Sequence, residues 1–216
     1  MDKYNVEDVP VLILAGGRGT RLQSEVSDRA KPMADINGRP FLDLLLERYK
    51  NHEIYISVGY MKETIMDYYG DKYTYITEDE PLGTGGAIKK AFREIGSDYL
   101  IVLNGDTFTD LELYDEEPTN DVLLNTVFQE DCERYGHVEV TDYNVFFKEK
   151  GHSGPGYINS GVYIVCRDAM IDTPEKFSFE DLLKGFHSIE VIQHKDAQFI
   201  DIGVPEDYFK AIKQFG

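Results

Sequence analysis

Directly behind the apolar run Val9 to Ala15, the segment Gly16-Gly17-Arg18-Gly19-Thr20-Arg21-Leu22 sets three glycines and two arginines close together. Glycines let a backbone approach a ligand and turn its N–H groups toward an anion, and arginine adds a fixed cationic fork. Between Arg18 and Lys31 stand four basic residues (Arg18, Arg21, Arg29, Lys31) and two acidic ones (Glu25, Asp28), a local charge of +2. Such an island is what a triphosphate requires. A Walker A loop needs Gly-Lys followed by Ser or Thr, and no Gly-Lys dipeptide occurs in the chain. The dinucleotide fingerprint fits at Gly17 and Gly19, but Leu22 stands where its third glycine permits close helix-sheet packing. A tight surface turn with solvated arginines is the competing reading.

The opposite charge gathers later. Between Asn104 and Asp121 there are seven acidic residues and no basic one, opening with Asn104-Gly105-Asp106 after the apolar run Leu100 to Leu103. A carboxylate at the C-terminal end of a parallel strand faces the crevice where open α/β sheets bind ligands. It suits Mg2+, which takes one or two protein carboxylates plus substrate phosphates. Asp201, in Phe199-Ile200-Asp201-Ile202-Gly203, stands in the same kind of position. Either aspartate alone reads as a turn or cap residue; both at strand ends, beside a phosphate-type loop, read as a metal pair.

Positioning these groups requires a sheet. Val9 to Ala15, Glu53 to Val58, Tyr73 to Thr77 and Tyr99 to Leu103 read as buried strands. They alternate with helical spacing over Phe41 to Tyr49, Lys62 to Tyr69 and Gly86 to Ile95, which predicts βαβ units and a mostly parallel sheet. After Asp106 the spacing changes. Val122 to Gln129, His137 to Thr141, Val145 to Glu149 and Tyr157 to Val165 read as strands with short connections, an antiparallel or mixed addition. A short helix at Phe179 to Phe186, strands at Ile189 to Gln193 and Gln198 to Ile202, and a terminal helix at Pro205 to Gln214 complete the pattern. There is no internal repeat, and Gly151 to Gly156 reads as a loop inside one domain.

The chain has 216 residues, 22 Lys plus Arg against 40 Asp plus Glu, a net charge of -18 and 42% apolar residues. One folded domain is the expectation at this length, and the acidic balance excludes nucleic acid and anionic membrane as partners. No apolar stretch is long enough to span a bilayer and the first residues do not form a secretory signal, so a soluble cytoplasmic protein is expected. Cys132 and Cys166 are expected as buried, reduced core residues.

Leu14-Ala15-Gly16-Gly17-Arg18-Gly19-Thr20-Arg21-Leu22, Lys31-Pro32-Met33, Pro81-Leu82-Gly83-Thr84-Gly85-Gly86-Ala87, Asn104-Gly105-Asp106, Asn159-Ser160-Gly161 and Phe199-Ile200-Asp201-Ile202-Gly203 together resemble the sugar-1-phosphate nucleotidyltransferases, in order and over nearly the whole chain. Leu82 to Ile88, Phe177-Ser178-Phe179-Glu180 and Asp201 to Tyr208 look most like the D-glycero-α-D-manno-heptose 1-phosphate guanylyltransferase branch. The resemblance implies a single-domain α/β, Rossmann-like (GT-A-like) fold. Its nucleotide-binding part would span about 1–110 and its sugar-phosphate-binding part, small and antiparallel, about 111–216. It implies no C-terminal β-helix domain. It also implies residue roles. Leu14, Ala15, Gly16, Gly17, Arg18, Gly19, Thr20 and Arg21 would hold the nucleoside triphosphate, with Gly83 and Thr84. Lys31 would contact phosphate at the reacting centre, and Asp106 and Asp201 would bind Mg2+. Tyr135, Gly136, Glu149, Lys150 and Asn159 would hold the sugar phosphate. Arg21, Lys31, Asp106 and Asp201 form the implied catalytic set. Ala30 departs from the family, which commonly has proline before the lysine; losing that ring should loosen the backbone ahead of Lys31.

The implied reaction is attack of a sugar 1-phosphate oxygen on the α-phosphorus of a nucleoside triphosphate, releasing pyrophosphate. A phosphate monoester, with its second pKa near 6, is mostly dianionic at neutral pH and needs no general base. The five histidines show no dyad spacing. Glu78 has two readings: a carboxylate accepting from the N1–H and N2–H of guanine, which favours GTP, or an exposed acid in the run Glu78-Asp79-Glu80. Uridylyl, thymidylyl or cytidylyl transfer to a hexose 1-phosphate is the alternative, and a catalytically silent nucleotide-sugar-binding regulatory subunit is a different class. A glycosyltransferase is disfavoured, because no Asp-x-Asp occurs. A homo-oligomer is compatible with the sequence.

Overall fold

The computed structural model describes residues 4–141, 145–148, 150–151, 153–185 and 188–215. Its first half holds the predicted alternation, β1 (Val11–Leu14), α1 (Leu42–Arg48), β4 (Ile54–Val58), α2 (Lys62–Tyr69), β5 (Thr74–Thr77), α3 (Gly83–Ile95) and β6 (Tyr99–Asn104), and adds before α1 a hairpin of β2 (Asp35–Ile36) and β3 (Arg39–Pro40) that the spacing does not indicate. β1 pairs in parallel with β4 and β6, and β4 with β5. Side chains alternate across a strand, so Val11 and Ile13 share one core with Leu42, Leu45 and Ile65 of α1 and α2. Leu12 joins Ile88, Ala91 and Phe92 of α3 on the other face. A sheet covered on both faces explains why these strands read as unbroken apolar runs.

The second half comprises β7 (Thr107–Thr109), β8 (Val122–Gln129), β9 (His137–Val140), β10 (Val145–Lys148), β11 (Gly156–Cys166), α4 (Phe179–Gly185), β12 (Ile189–His194), β13 (Phe199–Asp201) and α5 (Pro205–Gln214). β11 joins the halves. β8 pairs antiparallel with Gly156 to Asn159 and with Val162 to Val165, while Val162 to Cys166 also pair antiparallel with β6 and Ile158 meets β9. The register shifts between Asn159 and Val162, and Gly161 takes φ +73 there. This bulge is stitched from below. Ser160 Oγ donates to the Asn125 carbonyl (2.7 Å) and accepts from Val162 N–H (3.2 Å).

Three differences from the sequence reading have local causes. Helix α3 begins at Gly83, before the expected Gly86, because residues 175–178 lie against its first turn. A Cβ on Gly83 would overlap the Phe177 carbonyl oxygen, one on Gly85 the Phe177 ring, and one on Gly86 the Glu175 carbonyl oxygen. The poor helix formers are thus dictated by packing. No sequence period marks β7, which is only three residues long and stabilised by its partner β13, far away in sequence. Cys132 is buried as expected, but Cys166, at the end of β11, is half-buried. Among the described residues no helix is long and apolar enough to cross a membrane.

Candidate active site

The C-terminal ends of β1, β4 and β6 open into a cleft of about 550 Å³. Leu14, Ala15, Gly16, Gly17, Arg18, Gly19, Lys31, Glu78, Gly83, Thr84 and Asp106 line it, so most of the expected nucleotide residues converge. Thr20 and Arg21 do not. They lie exposed in a short 3-10 turn beside it (Thr20–Leu22).

The glycines of the loop do different jobs. Gly16 is small because a Cβ would meet Glu78 Oε1 at 2.9 Å and the Gly59 nitrogen at 3.2 Å. Gly19 has φ +56, and a Cβ there would press on Lys31 Cβ at 2.8 Å. A Cβ on Gly17 would meet nothing within 4 Å, and the residue is exposed, which leaves that side of its backbone open to a ligand.

Two strand ends bring the carboxylates together. The Gly105 N–H bonds the Leu14 carbonyl (3.0 Å), turning the chain so that Asp106 follows β6. β13 then pairs antiparallel with β7, setting Asp201 opposite Thr107, and Ile202 N–H bonds the Asp106 carbonyl (3.0 Å). Lys31 lies between the pair, its Nζ 2.5 Å from Asp106 Oδ2 and 3.9 Å from Asp201 Oδ1, with only 9% of its side chain exposed. Burial and the neighbouring Asp106 charge push the Asp201 carboxyl up, while the Lys31 ammonium, the Gly203 N–H (2.6 Å) and Arg21 pull it down. The ammonium is a stand-in cation. Two hard oxygen donors already converge on one positive charge, so the residues fit a divalent metal of the Mg2+ type, which would draw its other ligands from phosphate and water. Among the described residues no cluster of three or more ligating side chains competes.

Ala30 does not loosen the approach to Lys31. It is fully buried, and its N–H donates to Thr64 Oγ1 (3.1 Å), which in turn donates to the Met61 carbonyl (2.7 Å). A proline could not make that first bond, so here a tether to α2 replaces the ring.

Glu78 is not an exposed acid. Its Oε1 accepts from Ser57 Oγ (3.1 Å) and its Oε2 from Leu82 N–H (3.0 Å), which holds the carboxylate at the cleft wall. Thr84 Oγ1 is engaged by Phe179 N–H (2.8 Å) and donates to Glu180 (2.7 Å). Glu180 lines the cleft, and no sequence signal gave it a role; its place in Phe177-Ser178-Phe179-Glu180 was the only pointer.

The expected sugar-side residues lie outside the cleft. Asn159 Nδ2 donates to the Tyr163 hydroxyl (2.7 Å), at the bulge whose Gly161 packs against Asn104 of the cleft lining. Tyr135 stacks edge-on against Phe199 (5.4 Å) and reaches Asp207 through its hydroxyl (3.4 Å). Burial, then Asp207 and Asp201, raise its pKa. Gly136 sits against the Lys148 carbonyl, whose oxygen a Cβ there would meet at a tight 3.2 Å. Lys150 is exposed, and Glu149 lies outside the described residues. No described histidine lines the cleft.

Residues 10–215 match the family model described as nucleotidyl transferase. The chain belongs to that family. It is 42% identical to the D-glycero-alpha-D-manno-heptose 1-phosphate guanylyltransferase of Aneurinibacillus thermoaerophilus, over 94% of this chain and 96% of that protein. To the enzyme of the same name from Campylobacter jejuni it is 39% identical, over 92% and 96% of the two chains. The crystal structure of HddC from Yersinia pseudotuberculosis complexed with GMP-PN superposes with a TM-score of 0.85 at 40% identity, covering 96% of this chain and all of that one. The loop, the cleft and the carboxylate pair all lie within the matched residues.

Proposed function

We propose that the chain transfers a guanylyl group from GTP to D-glycero-α-D-manno-heptose 1-phosphate, forming the nucleotide-sugar and pyrophosphate. The observation that carries the chemistry is Lys31 set between Asp106 and Asp201 where the glycine-arginine loop meets the cleft. The two similar guanylyltransferases, matched over nearly their whole length, support the choice of nucleotide and sugar.

Two polyanions must be brought together and held in line, so the chain's work is positioning and charge compensation. In this reading residues of about 1–110 hold the triphosphate and those of about 111–216 the sugar phosphate. Loop N–H groups around Gly17, with Arg18 and Arg21, bind the β- and γ-phosphates and stabilise departing pyrophosphate. Lys31 contacts the α-phosphate, where negative charge builds as the bond forms. Mg2+ on Asp106 and Asp201, when bound, would neutralise charge shared by the two reacting phosphates. The sugar phosphate dianion attacks without a general base. Lys150 and Asn159, with Tyr135, Gly136 and Glu149, hold the sugar phosphate. Glu78 supports guanine, because a carboxylate oxygen keeps a second lone pair for a base N–H after accepting from Ser57 or Leu82.

A matrix of GTP, UTP, dTTP and CTP against sugar 1-phosphates with Mg2+, read by pyrophosphate release, tests the assignment. Turnover concentrated at GTP with the heptose 1-phosphate is expected. Preference for UTP, dTTP or CTP with a hexose 1-phosphate would discard the substrates and keep the class.

A further inference from the structure

Glu180 belongs to the cleft but has no part in the phosphate chemistry. Its Oε2 accepts from two hydroxyls, Thr84 Oγ1 (2.7 Å) and Ser178 Oγ (3.0 Å), so the carboxylate is fixed in one orientation. Its Oε1 has no protein partner among the described residues. The support behind it is rigid. The Phe179 ring is buried and meets the Tyr163 ring edge-on at 5.1 Å, and the Tyr163 hydroxyl carries the Asn159 amide at 2.7 Å. Glu180 is near enough for its charge to raise the Tyr163 pKa, after burial, the larger cause. Glu180 is thus bonded directly to Thr84 and linked, through the neighbouring Phe179 ring on Tyr163, to the hydroxyl that holds Asn159.

An anionic oxygen so placed repels phosphate groups and can accept only from a donor. The chemistry that fits is a polyol hydroxyl, of which both the ribose and the transferred sugar have several. Nearness to the Tyr163-Asn159 pair favours the sugar. We infer that Glu180 is a specificity-determining residue that accepts a hydrogen bond from a hydroxyl of the sugar 1-phosphate through Oε1. Phe177-Ser178-Phe179-Glu180 is then a device for holding that oxygen still: Ser178 supplies one clamp, Phe179 the anchor and Glu180 the acceptor. The inference rests on the proposed reaction.

The experiment is steady-state kinetics of wild type, Glu180→Gln and Ser178→Ala, each substrate varied with the other saturating, with thermal midpoints alongside. Glu180→Gln keeps the volume and an acceptor for Thr84, but turns a neutral amide toward the cleft. Losing a hydrogen bond to a charged group raises the KM for the sugar 1-phosphate roughly tenfold to a hundredfold. The KM for GTP should stay within about twofold, and Ser178→Ala, which keeps the charge, should show a smaller rise of the same kind. A rise confined to GTP would move the contact to the ribose and overturn the inference. So would equal rises for both substrates with a lowered thermal midpoint, the mark of a structural pin, or no change at all. A wild type inert to every sugar 1-phosphate sinks the proposed reaction and this inference together; an active wild type with an unaltered Glu180→Gln variant sinks only the inference.

Discussion

Replacing Lys31 by methionine should strengthen metal binding while weakening catalysis. In the free protein the ammonium lies 2.5 Å from Asp106 and 3.9 Å from Asp201, where a divalent cation would bind. A metal entering that site must displace it, breaking a charge-assisted hydrogen bond of about 1.5–3 kcal/mol. The Asp106 side chain is 36% exposed, so solvent screens part of that interaction and the lower end of the range applies. Methionine keeps the apolar stem and removes the competitor. It also leaves two carboxylates facing each other, which further favours a cation. Since 1.4 kcal/mol is a factor of ten, the dissociation constant for Mg2+ or Mn2+ should fall by roughly ten- to thirtyfold. Calorimetric titration of nucleotide-free protein reads this directly. Turnover should fall by at least about a hundredfold, because the same ammonium is the group proposed at the α-phosphate. Unchanged or weaker metal binding in a folded Lys31→Met protein would refute the reasoning, whatever happened to the rate.

Asp106→Asn and Asp201→Asn should each lower metal-dependent turnover by at least about a hundredfold with the fold intact, checked by rate and circular dichroism; near-normal rates in both would end the metal assignment. Asp207 is buried, which works against its charge, but Lys210 (3.0 Å) and Arg134 (2.7 Å) hold its carboxyl below the usual range. Asp207→Asn should therefore cost about 2 kcal/mol near neutral pH by urea unfolding. A folded pKa lowered below the unfolded one gives stability that is present above the unfolded value, near 4, and lost as pH falls through the folded value, so the gap between wild type and variant should close in acid. Gly83→Ala meets both a φ of +75 and the Phe177 carbonyl, so it should lower the thermal midpoint by several degrees and raise both KM values.

The strands and helices that position the site were legible because each has one job. Buried parallel strands read as apolar runs, and Ile88, Ala91 and Phe92 mark the buried stripe of α3. Asp106 and Asp201 could be picked as strand-end carboxylates, but their meeting was not legible: it depends on the three-residue ribbon of β7 and β13, which is too short to carry a period. Glu180 was hidden for another reason. Its signal is a hydroxyl of Thr84 on a different element, and pairing across sequence leaves no trace in spacing. Ala30 misled because the compensating donor-acceptor pair lies in α2. Spacing alone presents all three loop glycines as ligand-facing, whereas a Cβ on Gly16 or Gly19 would meet protein neighbours and one on Gly17 would meet none.

Arg29 makes two bonds to Asp28 (2.9 and 2.8 Å), so these two neutralise each other and leave the basic island. Arg18 at the cleft, Arg21 beside it and Lys31 within it remain. Lys31 is already committed to two carboxylates. The cleft itself is lined by five acidic side chains (Glu78, Asp79, Glu80, Asp106, Glu180) against two basic ones, in a chain of net charge -18. A bare triphosphate approaching this surface would meet a net negative field, relieved in the proposed reading by the loop N–H groups and arginines. The same lining is favourable to a triphosphate that arrives with a divalent cation already neutralising part of its charge. In the proposed reaction the acidity of the chain would therefore favour the cation-bound form of the nucleotide, a preference that screening by salt should weaken.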